Sequence, residues 1–300
     1  MATLLGKHLY PLDTLDSIER QEVAKLSDQD LPTIAQIKAA TDFISQPDAH
    51  SKVVKISDQI AVKFGTQVPL LEAETMRFIA ANSAVPVPKV LATFSEEETG
   101  MNFIVMELVQ GRTLEDLMPT LNSEEKSEIS LQIKNAIDEL RSIQPPNYIG
   151  GLNRQPLNNA VFWVPEHDPA ISGPFDTEAA MNEGMLRHLE QRTPAVYAQF
   201  LRGIVNSTLC GHRTVLTHGD LQPKNIIANR ISSPDSKKDG FKVYLIDWES
   251  AAWYPEYWEF CSSTFGCRFR PEWLELASHI LHQYPTEFLM MQVIYGIVYY

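Results

Sequence analysis

Between residues 52 and 107 the spacing of hydrophobic positions changes twice. Lys52-Val53-Val54-Lys55-Ile56 and Ile60-Ala61-Val62-Lys63-Phe64 are short β-branched runs on either side of Ser57-Asp58-Gln59, which predicts a hairpin. From Leu70 to Ala81, Met76, Ile79 and Ala80 recur at three- and four-residue spacing, the period of a helix. Val85-Pro86-Val87-Pro88 ends it, because proline lacks an amide donor and forces the residue before it to be extended. Val90 to Phe94 and Phe103 to Met106 then read as two strands about the turn Glu96-Glu97-Glu98-Thr99-Gly100.

After Gly111 the pattern is mostly helical. Ile129, Ile133, Ile137 and Leu140 form one stripe behind Ser123-Glu124-Glu125-Lys126, which resembles a capped helix start. Pro145 to Asp176 is polar and rich in Pro, Gly and Asn, so it predicts an irregular insertion of the kind that shapes a pocket. Asn225 to Asn229 and Phe241 to Asp247 are strand-like around the polar loop from Ser232 to Gly240. The most apolar stretch, Phe288 to Tyr300, is interrupted by Gln292 and Gly296 and falls short of the roughly 20 residues a bilayer span needs; a buried helix is expected. Strands first and helices afterwards make an α+β chain, divided here into residues 1–110 and 111–300.

Charge narrows the class of partner. Thirty-eight acidic against 25 basic residues give a net charge of −13, which excludes a broad basic footprint for nucleic acid or anionic lipid and favours a cationic or metal-bridged ligand. The three cysteines, Cys210, Cys261 and Cys267, are odd in number and lack metal-site spacing, so a disulfide framework and a structural zinc are both excluded. Pro11 and Asp13 interrupt the N-terminal stretch that a secretory signal would need, and a reducing, cytoplasmic setting is expected.

The chemistry concentrates in Thr217-His218-Gly219-Asp220-Leu221-Gln222-Pro223-Lys224-Asn225 and, after a strand pair, Tyr244-Leu245-Ile246-Asp247-Trp248-Glu249. Phosphoryl transfer needs a carboxylate to orient the attacking hydroxyl and hard oxygen ligands that hold magnesium against the phosphates. Asp220 can supply the first, Asn225 and Asp247 the second. Upstream, Lys63 lies in a strand and Glu72 nine residues later in a helix, the arrangement in which a lysine reaches nucleotide phosphates while a glutamate holds it.

On these residues the chain resembles the aminoglycoside phosphotransferase and choline kinase-like family, within the protein kinase-like superfamily. The matching pieces are VVKISDQIAVKFG, EAETMRFIAANSAVPVPKVL, FIVMELVQGRTLEDL, YIGGL, SGPFDTE, LTHGDLQPKNIIA and LIDWESAAWYPEYWEF, from about residue 50 to 260. The resemblance implies a two-lobed fold, a small antiparallel-sheet lobe that binds ATP, or GTP as the alternative, and a larger helical lobe for catalysis and substrate. It makes Lys63 the phosphate-contacting lysine and Glu72 its partner, with Glu74 as the rival. Met106, Glu107, Leu108 and Val109 become the hinge that meets the base, Asp220 the catalytic base, and Asn225 and Asp247 the magnesium ligands. His218 is expected to hold the catalytic loop rather than move protons.

The chain departs from the family of protein kinases proper. No G-x-G-x-x-G precedes Lys63, so Asp48-Ala49-His50-Ser51 marks only the expected place of a phosphate-covering loop; Gln222 stands where those kinases carry lysine, and Trp248-Glu249 follow Asp247 in place of Phe-Gly. Seven residues separate Asp247 from Pro255, too few for a peptide-docking activation segment. The expected activity is therefore phosphate transfer to a hydroxyl of a small molecule, the alternative being a kinase-fold protein that binds nucleotide or a metabolite without transfer. A cationic acceptor is expected, enclosed by the rings and carboxylates of Trp253, Tyr254, Glu256, Tyr257, Trp258 and Glu259.

Overall fold

A computed structural model describes residues 31–46, 49, 51–231, 240–268 and 270–299. Helix α1 (Ile34–Ala39) opens the described chain, with Thr33 and Gln36 capping each other's backbone amides. Four antiparallel strands follow, β1 (Lys52–Lys55), β2 (Ile60–Gly65), β3 (Val90–Glu96) and β4 (Met101–Glu107), in the order β1-β2-β4-β3. Helix α2 (Leu70–Asn82) crosses between β2 and β3. The hairpin, the helix and the two later strands stand where the hydrophobic pattern predicts them.

Alternation along β2 and β4 decides what this sheet presents to the rest of the molecule. Val62, Phe103 and Val105 share one face with Ile37 of α1 in a small core. Lys63 and Ile104, one residue out of phase, point to the other face, where Ile104 joins Met76 and Ile79 of α2 in the main core. A two-residue period thus delivers a lysine into the cleft beneath the sheet.

The chain leaves β4 through Leu108 to Gly111, and β5 (Arg112–Thr113) pairs with β7 (Ile226–Ile231). Gly111, at φ +128°, passes so close to β7 that a Cβ would lie 2.7 Å from the Ala228 carbonyl oxygen; only glycine fits. Short α3 (Leu114–Leu117) precedes α4 (Ser123–Ser142), whose stripe of Ile129, Ile133, Ile137 and Leu140 is wholly buried. The cap lies one residue earlier than the sequence implies: Asn122, not Ser123, accepts the Glu125 amide, and Glu125 returns to the Asn122 amide.

The segment from 145 to 176 is largely irregular, as expected, and much of it is packed inward. It carries α5 (Pro169–Ser172), and Leu157, Val161, Phe162 and Phe175 are buried in the second large core. Beyond it come α6 (Glu178–Glu190) and α7 (Ala195–Thr208), then two strand pairs: β6 (Thr214–Thr217) with β9 (Ala252–Pro255), and β7 with β8 (Gly240–Leu245). Helices α8 (Trp258–Gly266), α9 (Pro271–Ile280) and α10 (Pro285–Tyr299) close the lobe. In α10, Met291, Ile294 and Tyr295 are buried while Leu289 and Val293 face outward, so the helix is half-covered and not fully buried as its composition implies. No helix among the described residues is long and apolar enough to cross a membrane.

Candidate active site

Three carboxylates from both lobes meet at Lys63. Its Nζ lies 2.8 Å from Glu72 Oε2, 2.7 Å from Asp247 Oδ1 and 3.0 Å from Glu249 Oε2. Glu72 is in the first turn of α2, one helical turn before Met76, and so shares the buried face. Glu74 is two residues out of phase; its Oε2 accepts from Asn153 Nδ2 at 3.3 Å instead. Lys63 therefore pairs with the first of the two candidate glutamates.

Three carboxylates around one buried ammonium set its charge. Burial disfavours the charged form of Lys63, but Glu72, Asp247 and Glu249 outweigh it and hold its pKa well above the ordinary lysine value. Glu72 is dominated by its own burial, which raises its pKa to about 7 against the pull of Lys63. For Asp247 burial acts in the same upward direction, yet the Lys63 charge and hydrogen bond prevail and its pKa is lowered. Glu249 is a participant that sequence reasoning missed; the signal was its place in IDWE, two residues after Asp247.

Asp247 follows β8 at φ +66°, a left-handed conformation unusual for a residue with a Cβ. Its neighbours are pinned: the Ile246 amide donates to the Asn225 carbonyl at 3.0 Å, and the Leu245 amide donates to the Pro86 carbonyl at 2.9 Å. The Trp248 indole donates to Leu245 O at 2.9 Å and its ring lies 4.5 Å from His218. His218 Nε2 in turn contacts the Ile246 carbonyl at 3.0 Å, and its Nδ1 accepts the Asp220 amide at 3.3 Å. His218 is fully buried and ties together the loops that carry Asp220 and Asp247.

Both oxygens of Asp220 are held. Oδ2 accepts from Asn225 Nδ2 at 2.8 Å and faces Lys224 Nζ at 3.3 Å, while Gln222 Nε2 donates to Oδ1. Asn225 Nδ2 also donates to the Asp220 carbonyl at 2.8 Å, which turns the amide nitrogen inward. No supporting role for Gln222 or Lys224 was read from sequence, because such a role a few residues from a motif position has no signature of its own. Tyr299 of α10 also comes near: burial, then the charge of Asp220, raises its phenol above the ordinary value.

One expectation needs correction. The rings proposed to enclose a cation are interior: Trp253, Tyr254, Tyr257 and Trp258 are at most 2% exposed, and Glu259 spends its carboxylate on the His218 and Gly219 amides. Stacking explains this, since Tyr254 lies flat on Trp258 at 4.5 Å and Phe162 covers it at 5.5 Å. Glu256 is paired with Arg213 at 2.8 Å. At the hinge, the Glu107 amide donates to Lys89 O at 2.9 Å and the Leu108 amide to Gln59 O at 2.8 Å, so neither is available to a nucleotide base. Asp48 and His50, where a phosphate-covering loop is expected, lie outside the described residues.

Residues 67–288 match the phosphotransferase enzyme family. The chain belongs to that family. Solved structures with the same fold include a thermostable mutant of aminoglycoside phosphotransferase APH(4)-Ia in a ternary complex with ADP and hygromycin B. That match has 15% identity and a TM-score of 0.53 over 88% of this chain and 90% of the other. Another is the GDP and kanamycin complex of APH(2")-IIia, at 14% identity and a TM-score of 0.53 over 88% of each chain. At these identities the family's kinase-like, two-lobed α+β fold is what the likeness establishes. Among curated proteins, none matches this chain.

Proposed function

We propose that this protein transfers the γ-phosphoryl group of ATP to a hydroxyl of a small molecule, with magnesium as cofactor. The observation that carries the reading is the convergence of Lys63 and Asp247, 184 positions apart and 2.7 Å from each other, on the same site as an Asp220 held at both oxygens. Membership of the phosphotransferase family supports it.

The donor set fits a hard cation. With its nitrogen committed to Asp220, Asn225 keeps its side-chain oxygen as an acceptor, and Asp247 keeps Oδ2 beyond the oxygen that Lys63 occupies. Glu72, Asp247 and Glu249 also each offer an oxygen within 4.8 Å of the others, but the Lys63 ammonium contacts all three; the assignment to Asn225 and Asp247 rests on the free Asn225 oxygen and on Asp247 Oδ2. Bound magnesium would neutralise charge on the phosphate oxygens. Lys63, kept charged by its carboxylates, binds the phosphates. Asp220 orients the acceptor hydroxyl and takes its proton as the acceptor oxygen bonds to phosphorus and the bond to ADP breaks.

Met106, Glu107 and Val109 remain the proposed base-binding segment, with the Glu107 carbonyl and the Val109 amide as the groups left to meet the base. Because backbone groups carry this recognition, GTP is the alternative donor; the solved relatives include both an ADP and a GDP complex. The sheet lobe through residue 110 would hold the nucleotide and the lobe from 111 the acceptor. Three free cysteines fit a reducing, cytoplasmic setting.

The test is calorimetry with ADP and magnesium followed by coupled ADP-release assays across hydroxyl-bearing small molecules. Nucleotide binding that disappears in Lys63→Met, together with acceptor-dependent ADP release, supports the reading. Nucleotide binding with no transfer to any acceptor favours the non-catalytic alternative, and absent nucleotide binding overturns both.

A further inference from the structure

Gln222 and Lys224, the two residues that contact opposite oxygens of Asp220, are also walls of a cavity of about 370 Å³. Asp220 is not itself one of the walls; the cavity lies one side chain away, on the far side of Gln222 and Lys224 from the carboxylate to which an acceptor hydroxyl must come. Glu115 of α3 and, at and past the end of α8, Gly266, Arg268 and Arg270 help to complete the wall. Lys224, Arg268 and Arg270 bring three cations to it against the single acid Glu115, in a chain whose net charge is −13.

The three cations are not equivalent. Lys224 is engaged with Asp220, and Arg270 Nη1 pairs with Glu115 Oε1 across the cavity. Arg268 is exposed, and its guanidinium makes no ion pair among the described residues. Arg268 also sits two residues beyond the end of α8 at φ +52°, the left-handed position that glycine usually fills after a helix. An arginine there accepts backbone strain that glycine would avoid, while its side chain lines the cavity. The chain's overall negative charge does not oppose this: beyond a Debye length of about 8 Å at physiological salt the remaining acids are screened, and the local cations dominate.

We infer that this cavity is the acceptor-anchoring subsite and that the acceptor carries, besides its reacting hydroxyl, an anionic oxygen group, a carboxylate or a phosphate, bound by Arg268. The inference rests on the phosphotransferase reading of the same site and supplies its substrate class. A guanidinium offers paired N–H donors that match the two oxygens of such a group. Anchoring the anion there leaves the rest of the molecule to reach Asp220, and so converts binding into orientation of the hydroxyl. The acidic aromatic segment that would have favoured an ammonium is buried in the core, which removes the local argument for a cationic acceptor.

The test uses four six-carbon, hydroxyl-rich probes, two anionic, one neutral and one cationic. Glucose 6-phosphate, gluconate, glucose and glucosamine are titrated by calorimetry into the full chain holding ADP and magnesium, and assayed for ADP release from ATP. One or both anionic probes are expected to bind roughly ten-fold tighter than glucose or glucosamine, the scale of one charged hydrogen bond. Which of the two binds tells phosphate from carboxylate. Arg268→Gly, which suits the local φ, should erase the advantage, and Arg268→Lys should restore most of it. Equal binding of all four probes, a preference for glucosamine, or an anionic preference that survives Arg268→Gly overturns the inference. ADP affinity in the same cell separates the two claims. Normal ADP binding with the wrong charge order leaves the phosphotransferase reading standing, whereas absent ADP binding removes both.

Discussion

Glu259 reaches back about forty residues to the loop of Asp220: its Oε2 accepts the His218 amide at 2.7 Å and its Oε1 the Gly219 amide at 3.2 Å. Both hydrogen bonds are buried, so water cannot take the carboxylate's place. Truncation in Glu259→Ala should therefore cost about 2–5 kcal/mol, read as a lower urea midpoint, since each orphaned donor costs about 1–3 kcal/mol. Burial also raises the Glu259 pKa above the ordinary glutamate value. With the folded pKa above the unfolded one, the native state holds a proton that the unfolded chain has released. The group's contribution is therefore fully present below the unfolded value of about 4.3 and declines as pH rises through the folded one. Across that rise the wild type should lose stability relative to Glu259→Gln, which does not titrate. A difference that stays flat with pH would show that Glu259 is ionised throughout.

Asp220→Asn removes the proton acceptor; its remaining oxygen can still accept from Asn225 and Lys224, and its new NH2 is accommodated once the Gln222 amide turns its oxygen toward it. Turnover should fall by roughly 10²–10⁴-fold, the usual range for losing a general base, with ADP affinity within a few-fold of wild type. Calorimetry and initial rates on the same preparation check this. A variant that keeps most of its turnover would move the base elsewhere.

What could be read from sequence was whatever local periodicity fixes. Lys63 and Glu72 were legible because each sits one step out of phase with, or one turn away from, a plain apolar pattern, and that phase determines the face. The β6–β9 pair was not: Thr214–Thr217 and Ala252–Pro255 are four residues each, and the second is a run of rings and a proline that reads equally well as a helix entry. Burial of Trp258 involves Phe162 from the insertion and Tyr295 from α10, and Trp253 packs on Phe78 of α2, none of which a local window contains. The roles of Glu249 and Glu259 were hidden for the same reason, since each is defined by a partner from a distant element. The hinge illustrates the limit from the other side: its position was legible, but which amides are already spent depends on register with Lys89 and Gln59.

Two glycines should respond in opposite directions to the same substitution. Gly219 stands at φ +82°, and a Cβ there would collide with the Ser250 backbone carbonyl oxygen, which cannot swing aside as a side chain could. Gly219→Ala should shift the loop that carries Asp220 and cost about 3 kcal/mol or more in stability, with activity lost as well. Gly203 is exposed on α7, and a Cβ added there would meet nothing within 4 Å, so its only effect on stability is the entropy of glycine in a helix. Gly203→Ala should stabilise by about 1 kcal/mol in the same urea experiment and leave transfer unchanged. Equal effects at the two positions would contradict the packing described at Ser250.

Magnesium dependence should divide between Asn225 and Asp247 in a way their contacts foretell. Neither residue alone, nor the two together, supplies the roughly six oxygen ligands magnesium takes, so phosphate oxygens and water must complete the shell and the ion should bind tightly only with nucleotide. ADP affinity in the wild type should therefore rise by about ten-fold or more from chelator to excess magnesium. Asp247→Asn keeps the shape but removes one charge from the phosphate side; Lys63 retains Glu72 and Glu249 as partners, so the fold should survive. In that variant the gain from magnesium should shrink to a few-fold, while affinity in chelator should hold or improve as a negative charge leaves the phosphates. Asn225→Ala should weaken the magnesium effect and also lower turnover, because its Nδ2 is one of the donors that hold Asp220. The two variants thus separate ligation from positioning: both change the metal titration, and only the second disturbs the base without a charge change. An Asp247→Asn protein with the wild-type response to magnesium would take the metal away from this carboxylate and leave Asp247 as a structural partner of Lys63.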